Sequence, residues 1–268
     1  MNYKLIKQYD TDGFYIARSV LSKDLIGELI DYLDTLDTKL KVPFTDIVFG
    51  YGNLLNKGPF NKVTENELII DFCKSIIGDD FLFNHLFVHN KVPWIGPGVE
   101  WHQEVFNIDS FAPGYSKNET ENFMQIYIAL ETQDIDNGCL RVFPASHKEG
   151  ILQYEDSINE HLQHKRRVKF ETLNILHEKY GVKHCELEAG DALVFNHLLV
   201  HGSSSNVSNK SRKSIVSQIR KDIREKNQTI FNKESKHRKD FIIKSLNDKI
   251  NHIKESDLYG EQGKEKVK

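Results

Sequence analysis

The chain has 268 residues, 39% of them hydrophobic and 28% charged, enough to bury a sizeable core, and a single domain over 1–268 is expected. Its 36 Lys and Arg are balanced by 39 Asp and Glu, without the basic excess that a phosphate backbone demands, so nucleic acid is not an expected partner. No apolar leader follows Met1, no apolar run reaches the roughly 18 residues of a membrane span, and Cys73, Cys139 and Cys185 lack C-x-x-C spacing; a soluble, cytoplasmic protein with reduced thiols and no membrane partner is expected.

In chain order, Leu25, Ile26, Leu29 and Leu33 recur at helical spacing behind Ser22, which can cap the first turn, and predict an amphipathic helix over Ser22–Asp37. A second helix is expected from Thr64, with Glu67 completing a capping box, Leu68, Phe72 and Ile76 as its buried stripe and Gly78 at its end. These helices make an N-terminal helical part of about 1–80. From residue 81 the texture changes to short Phe-, Val-, Ile- and Tyr-rich runs separated by Gly, Pro, Asn and Asp. Strands are expected at Phe81–His89, Asn122–Leu130, Cys139–Phe143, Val182–Glu188, Asp191–Asn196 and Lys213–Ile219, a core of about 81–220. The fold class is mainly β with flanking helices (α+β), a barrel or sandwich. A charged insert of about 150–181, carrying His164-Lys165-Arg166-Arg167, reads as a partly helical lid. Ile243, Leu246, Ile250 and Ile253 predict a C-terminal helical segment of about 225–258.

Trp101-His102-Gln103-Glu104 sets an imidazole and a carboxylate two residues apart, so in extended chain both face the same way and can serve one ion. His201 follows a strand and opens a Gly/Ser-rich turn, His201-Gly202-Ser203-Ser204-Ser205. Two His and one carboxylate leave about three positions open on an ion, the arrangement of non-haem iron(II) rather than structural zinc. His197, four residues before His201, is the rival ligand, since on a helix that pair could bind zinc for a hydrolase; the β-rich Leu193-Val194-Phe195 and the lack of H-E-x-x-H weigh against it. Arg212 follows His201 by eleven residues, on what reads as the next strand, and a guanidinium there can grip a carboxylate with two hydrogen bonds.

With these motifs in register, joined by Asn137-Gly138-Cys139-Leu140-Arg141-Val142-Phe143-Pro144-Ala145-Ser146-His147-Lys148, Gly190-Asp191-Ala192-Leu193-Val194-Phe195 and an entry segment Asp12-Gly13-Phe14, the sequence resembles the phytanoyl-CoA dioxygenase family of iron(II)- and 2-oxoglutarate-dependent oxygenases over roughly Asp10 to Arg220. The resemblance implies a double-stranded β-helix (jelly roll, cupin-like), iron(II) held by His102, Glu104 and His201, and 2-oxoglutarate and O2 as co-substrates, with Arg212 on the distal carboxylate of 2-oxoglutarate. It also implies a dioxygenase that hydroxylates an unactivated C–H bond of a small-molecule metabolite or biosynthetic intermediate, with release of succinate and CO2. Lys91 stands where related enzymes place a co-substrate contact. Gln125 and Tyr127 alternate with Met124, Ile126 and Ile128, and from the barrel interior they would reach the co-substrate too. The chain departs from the family in one place, having H-x-E where H-x-D is usual; a retained carboxylate argues against halogenation. The competing function is an inactive jelly-roll protein that binds a small molecule on the same scaffold.

Overall fold

The computed structural model describes residues 3–37, 39–41, 47–107, 123–157 and 166–222. The chain opens with α1 (Tyr3–Asp12), β1 (Phe14–Ala17), α2 (Lys23–Asp34), β2 (Lys39–Lys41), β3 (Val48–Tyr51), α3 (Asn61–Thr64) and α4 (Glu67–Ile76). The segment read as helical thus also contributes three strands. In α2 the Ser22 hydroxyl accepts from the Leu25 N–H, and Ile26, Leu29 and Leu33 are buried, as their spacing requires. The start of α4 differs from expectation. Thr64 closes α3, and Asn66 is the cap, its side chain accepting from the Ile69 N–H. That shift turns the buried stripe to Ile69, Phe72 and Cys73 and leaves Leu68 47% exposed.

The remainder comprises β4 (Phe81–Lys91), β5 (Val99–His102), β6 (Phe123–Ala129), β7 (Leu140–Val142), β8 (Tyr154–Asp156), β9 (Arg166–Val168), α5 (Phe170–Tyr180), β10 (Lys183–Cys185), β11 (Ala192–Asn196), β12 (His201–Ser203) and β13 (Arg212–Lys221). Two antiparallel sheets result, one of seven strands in the order β1-β11-β6-β13-β4-β3-β2 and one of four in the order β10-β7-β12-β5. This is the mainly β fold with flanking helices, a double-stranded β-helix, that was expected.

Strand alternation divides the core. Met124, Ile126 and Ile128 of β6, Ala192 and Val194 of β11, Leu86 and Val88 of β4, and Ile215 and Ile219 of β13 pack with the helices' apolar faces. Tyr127, Leu193, Phe195 and Phe14 face the other way and meet Leu140, Val142, Cys185 and Leu199. Each fully buried Leu, Ile or Phe contributes about 1.5–3 kcal/mol. The larger sheet therefore needs its helices on one side, leaving its other side free to present polar groups to the smaller sheet.

The insert is a β8–β9 hairpin followed by α5. Of its basic run, His164 and Lys165 lie outside the described residues, Arg167 bonds Glu155 of β8 at 2.9 Å and Glu100 of β5 at 2.7 Å, tying the hairpin to the smaller sheet, and Arg166 lies over the Tyr154 ring. The chain divides into two units. One comprises Met1–Phe106 and Lys117–Asp222, and the other, Asn107–Ser116 and Ile223–Lys268, lies outside the described residues apart from Asn107, as does the expected C-terminal helical segment. Among the described residues no helix is long and apolar enough to cross a membrane.

Candidate active site

β12 pairs antiparallel with β5 so that His201 lies opposite His102, and the two rings sit 4.2 Å apart between centroids. In each imidazole Nδ1 meets a main-chain carbonyl, Glu100 O at 2.7 Å from His102 and Leu199 O at 2.9 Å from His201. A carbonyl can only accept, so Nδ1 carries a proton and donates, which turns Nε2 toward Glu104 as the nitrogen a metal would take.

Glu104 arrives by a different route from the one expected. β5 ends at His102, and the buried Gln103 side chain turns inward, donating from Nε2 to Gly150 O (2.9 Å) and Leu198 O (2.6 Å) and accepting at Oε1 from the Leu152 N–H (2.9 Å). Pinned there, the chain enters a 3-10 turn, Glu104–Asn107, whose first residue faces the histidines. Glu104 Oε1 lies 3.4 Å from His201 Nε2 and 3.8 Å from His102 Nε2, so the turn absorbs the extra methylene of H-x-E. All three ligand atoms lie within 4.8 Å of one another, the one such cluster among the described residues.

Burial works against charge on Glu104, but His102 and His201 together hold its carboxyl well below the usual range. Burial and the neighbouring His102 depress the pKa of His201. An ionised carboxylate beside an unprotonated imidazole is the state a metal requires, and the donor chemistry fits iron(II). His197 stands apart. Its segment forms a turn, not the helix that a zinc pair needs, and its fully buried ring stacks on Phe123 at 4.9 Å.

Gly202 follows His201, and a Cβ there would stand 2.8 Å from Val99 O and 3.3 Å from the Trp101 N. Gly202→Ala should wedge β12 from β5 and separate the two histidines; turnover should fall roughly 100-fold in a protein with an unchanged circular dichroism spectrum.

Two basic side chains also lie buried on the inner face. Arg212 opens β13 opposite Lys91 at the end of β4; they are 3% and 5% exposed. Lys91 Nζ donates to Ser203 Oγ at 2.8 Å and to Ser204 O. Arg212 Nη1 donates to Gly138 O at 2.5 Å, and its guanidinium lies 5.7 Å from the Tyr127 ring centre. Gly138 is obligatory here, since φ is +78° and a Cβ would lie 2.4 Å from Ser204 O. Among the described residues Arg212 Nε and Ser214 Oγ, both buried, meet no hydrogen-bond partner. Unpaired donors beside a buried guanidinium and a buried amine that can take up a proton fit the carboxylate of 2-oxoglutarate. The Tyr127 hydroxyl donates to Gln133 Oε1 at 2.8 Å. Gln125, 2% exposed, pairs across the sheet with Phe195, whose ring packs 4.7 Å from that of His201, at the metal end.

Burial, then Arg212 and Arg141, push the Lys91 amine down to about 6. Below that pH the amine is already charged; above it, docking a carboxylate must draw a proton from solvent. The Kd of 2-oxoglutarate should therefore rise up to about tenfold per pH unit above pH 6, and Lys91→Arg, which stays charged, should flatten that slope in calorimetry at varied pH.

The structure thus brings His102, Glu104 and His201 together, joins Lys91 to Arg212 with Tyr127 beneath, and puts Gln125 near the metal ligands. Sequence reasoning missed Ser203 and Gln103. Ser203 stands two residues beyond His201 on the same strand, and the period of two that paired His102 with Glu104 would have found it. Gln103 carried no signal short of the fold.

A family model described as Phytanoyl-CoA dioxygenase (PhyH) matches residues 9–214. Among curated relatives, an ectoine dioxygenase of Nocardia farcinica (strain IFM 10152) is 23% identical over 230 residues, covering 78% of this chain and 74% of the relative. The peroxisomal phytanoyl-CoA dioxygenase of Bos taurus is 27% identical over 154 residues, covering 55% of this chain and 42% of the relative. Among solved structures, EctD from S. alaskensis with 2-oxoglutarate and 5-hydroxyectoine superposes with a TM-score of 0.66 at 17% identity, over 82% of this chain and 76% of that one. The non-haem α-ketoglutarate-dependent epimerase SnoN from nogalamycin biosynthesis gives 0.62 at 16% identity, over 81% and 82%. The structural likenesses establish a shared fold, and the family model covers both candidate centres. The chain belongs to the phytanoyl-CoA dioxygenase family and is an iron(II)- and 2-oxoglutarate-dependent oxygenase.

Proposed function

We propose that His102, Glu104 and His201 hold one iron(II), that Arg212 and Lys91 with Ser203 hold the distal carboxylate of 2-oxoglutarate, and that Tyr127 and Gln125 line its path to the metal. The reaction is hydroxylation of an unactivated C–H bond in a small-molecule metabolite, in keeping with relatives named for ectoine and for phytanoyl-CoA. Iron(II), once bound with 2-oxoglutarate and dioxygen, would supply the oxidising chemistry, one oxygen atom of dioxygen leaving in succinate as 2-oxoglutarate loses CO2 and the other entering the C–H bond. The chain's own part is positioning. Glu100 O and Leu199 O orient the two imidazoles, Gln103 sets the turn that aims Glu104, and Gly138 O and Tyr127 fix the Arg212 guanidinium.

The observation that carries this reading is the pairing of a three-donor cluster with buried cations that keep unsatisfied donors on the same inner surface. An inactive binding scaffold would need neither. We take residues 1–268 as one oxygenase domain acting in the cytoplasm, a placement that rests on cysteine spacing. Purified protein given iron(II), ascorbate and 2-oxoglutarate should slowly release succinate without any substrate. Tight binding of both iron and 2-oxoglutarate with no succinate would sink the proposal.

A further inference from the structure

Three loops at the strand ends beyond Lys91 and Ser203 put bulky apolar side chains on the surface. Trp94 and Ile95, in the turn between β4 and β5, are 66% and 50% exposed. Ile135, between β6 and β7, is 50% exposed, and Val207, between β12 and β13, is 61% exposed. Main-chain hydrogen bonds knit the loops into one surface, with the β12–β13 loop between the other two. The Trp94 N–H donates to Ser208 O at 3.1 Å, the Val207 N–H to Asp136 O at 2.9 Å and the Asn206 N–H to Gly96 O at 2.9 Å. Trp94 is held at φ +65°, a backbone region that a bulky side chain rarely occupies. Gly96 keeps the turn tight, since a Cβ there would overlap Lys91 Cγ, and the Asn206 side chain donates to Lys91 O at 3.0 Å and to Lys210 O at 2.7 Å. The turn that carries the indole is thus set before any partner arrives, which lowers the ordering cost of binding one.

The rim of this patch carries both signs of charge. Lys210, its side chain 67% exposed, reaches Asp134 only at 3.8 Å, and Asp136 is exposed beside Val207. An anionic bilayer surface selects patches flanked by Lys and Arg, whereas two of these three charges are acidic and the chain carries −3 overall. A partner of a single sign would gain from one rim charge and lose on another. A second copy of the chain matches both signs, because in a two-fold contact residue i meets residue j twice. An axis near Val207 can lay Lys210 of each copy toward Asp136 of the other and close Trp94, Ile95 and Ile135 off from water. Four such side chains make a patch on the order of 400 Å2. That is about half of the roughly 800 Å2 per partner of a standard interface, so the contact is transient, with a Kd in the micromolar range.

We propose that the loop face of Trp94, Ile95, Ile135 and Val207 is a self-association surface, pairing two copies of this chain about a two-fold axis with Lys210 and Asp136 as reciprocal partners. Sedimentation equilibrium of the purified full-length chain, from about one to a few hundred micromolar, should show a reversible monomer–dimer equilibrium. Trp94→Asn removes the indole at a backbone angle that asparagine tolerates, and the Kd should rise about thirtyfold or more. Val207→Asp sets a carboxylate on the axis and should leave only monomer over the same range. Lys210→Asp and Asp136→Lys each place like charges across the axis and should weaken pairing at least tenfold, and the two together should restore it. A merely local structural role for Lys210 and Asp136 would give no such rescue. All four positions are exposed, so the circular dichroism spectrum of each variant should match that of the parent. A chain that stays monomeric over the whole range, a dimer indifferent to Trp94→Asn and Val207→Asp, a charge exchange that does not restore pairing, or a monomer that instead sediments with phosphatidylserine vesicles would overturn the proposal.

Discussion

His102→Ala and His201→Ala, singly or together, should leave a folded protein that no longer takes up iron(II) at micromolar concentration and releases no succinate. Each imidazole bonds a carbonyl only two residues away, Glu100 O or Leu199 O, so truncation costs ring packing between the strands but no hydrogen bond to Glu100 or Leu199 that the local chain needs. The end of β5 stays tied through Gln103 to Gly150 and Leu198. What is lost is a first ligand, and the affinity should fall by more than the roughly 100-fold that an outer partner costs. Glu104 supplies a second readout. Its carboxyl is held down by His102 and His201 against burial, so in the double variant it should titrate at higher pH, visible by NMR of labelled glutamate. His197→Ala is the control. Its ring lies outside the cluster, and iron uptake should be retained.

Arg212→Met should separate the two centres by weakening co-substrate binding severely while leaving iron uptake intact. A buried guanidinium that loses its role leaves the carboxylate of 2-oxoglutarate facing Lys91 alone. Removing one partner of a buried, hydrogen-bonded charge pair costs about 2–5 kcal/mol, so the Kd of 2-oxoglutarate should rise roughly 30- to several-thousandfold. Arg212→Lys should not restore it, because an ammonium cannot keep both the bond to Gly138 O and the planar contact with Tyr127. Calorimetry of the iron-loaded variants under anaerobic conditions would read both outcomes.

Much of this architecture is legible in the sequence, for identifiable reasons. His201 and Arg212 stand out because one strand end and the next strand start fix their separation, and the alternation in β6 correctly divides Gln125 and Tyr127 from Met124, Ile126 and Ile128. Local signals mislead where two are in competition. Thr64 and Asn66 can each cap a helix, and only packing decides that Asn66 does, its amide also reaching Val20 O at 3.1 Å. Extended spacing places Glu104 on the face of His102, yet the three hydrogen bonds of Gln103 end the strand and deliver the carboxylate from a turn. The meeting of Lys91 with Ser203 joins residues 112 apart on different sheets, and the Arg212 bond to Gly138 O spans 74. No local periodicity encodes such contacts; they exist only once both sheets have closed.

The most direct test of the central claim is an anaerobic titration of the protein with iron(II) and then 2-oxoglutarate, following the visible charge-transfer absorption that the chelated pair produces. The band should saturate at one equivalent of each, vanish in His102→Ala and His201→Ala, and need far more 2-oxoglutarate in Arg212→Met. Full iron uptake and an unchanged band in both histidine variants would contradict the assignment of this site.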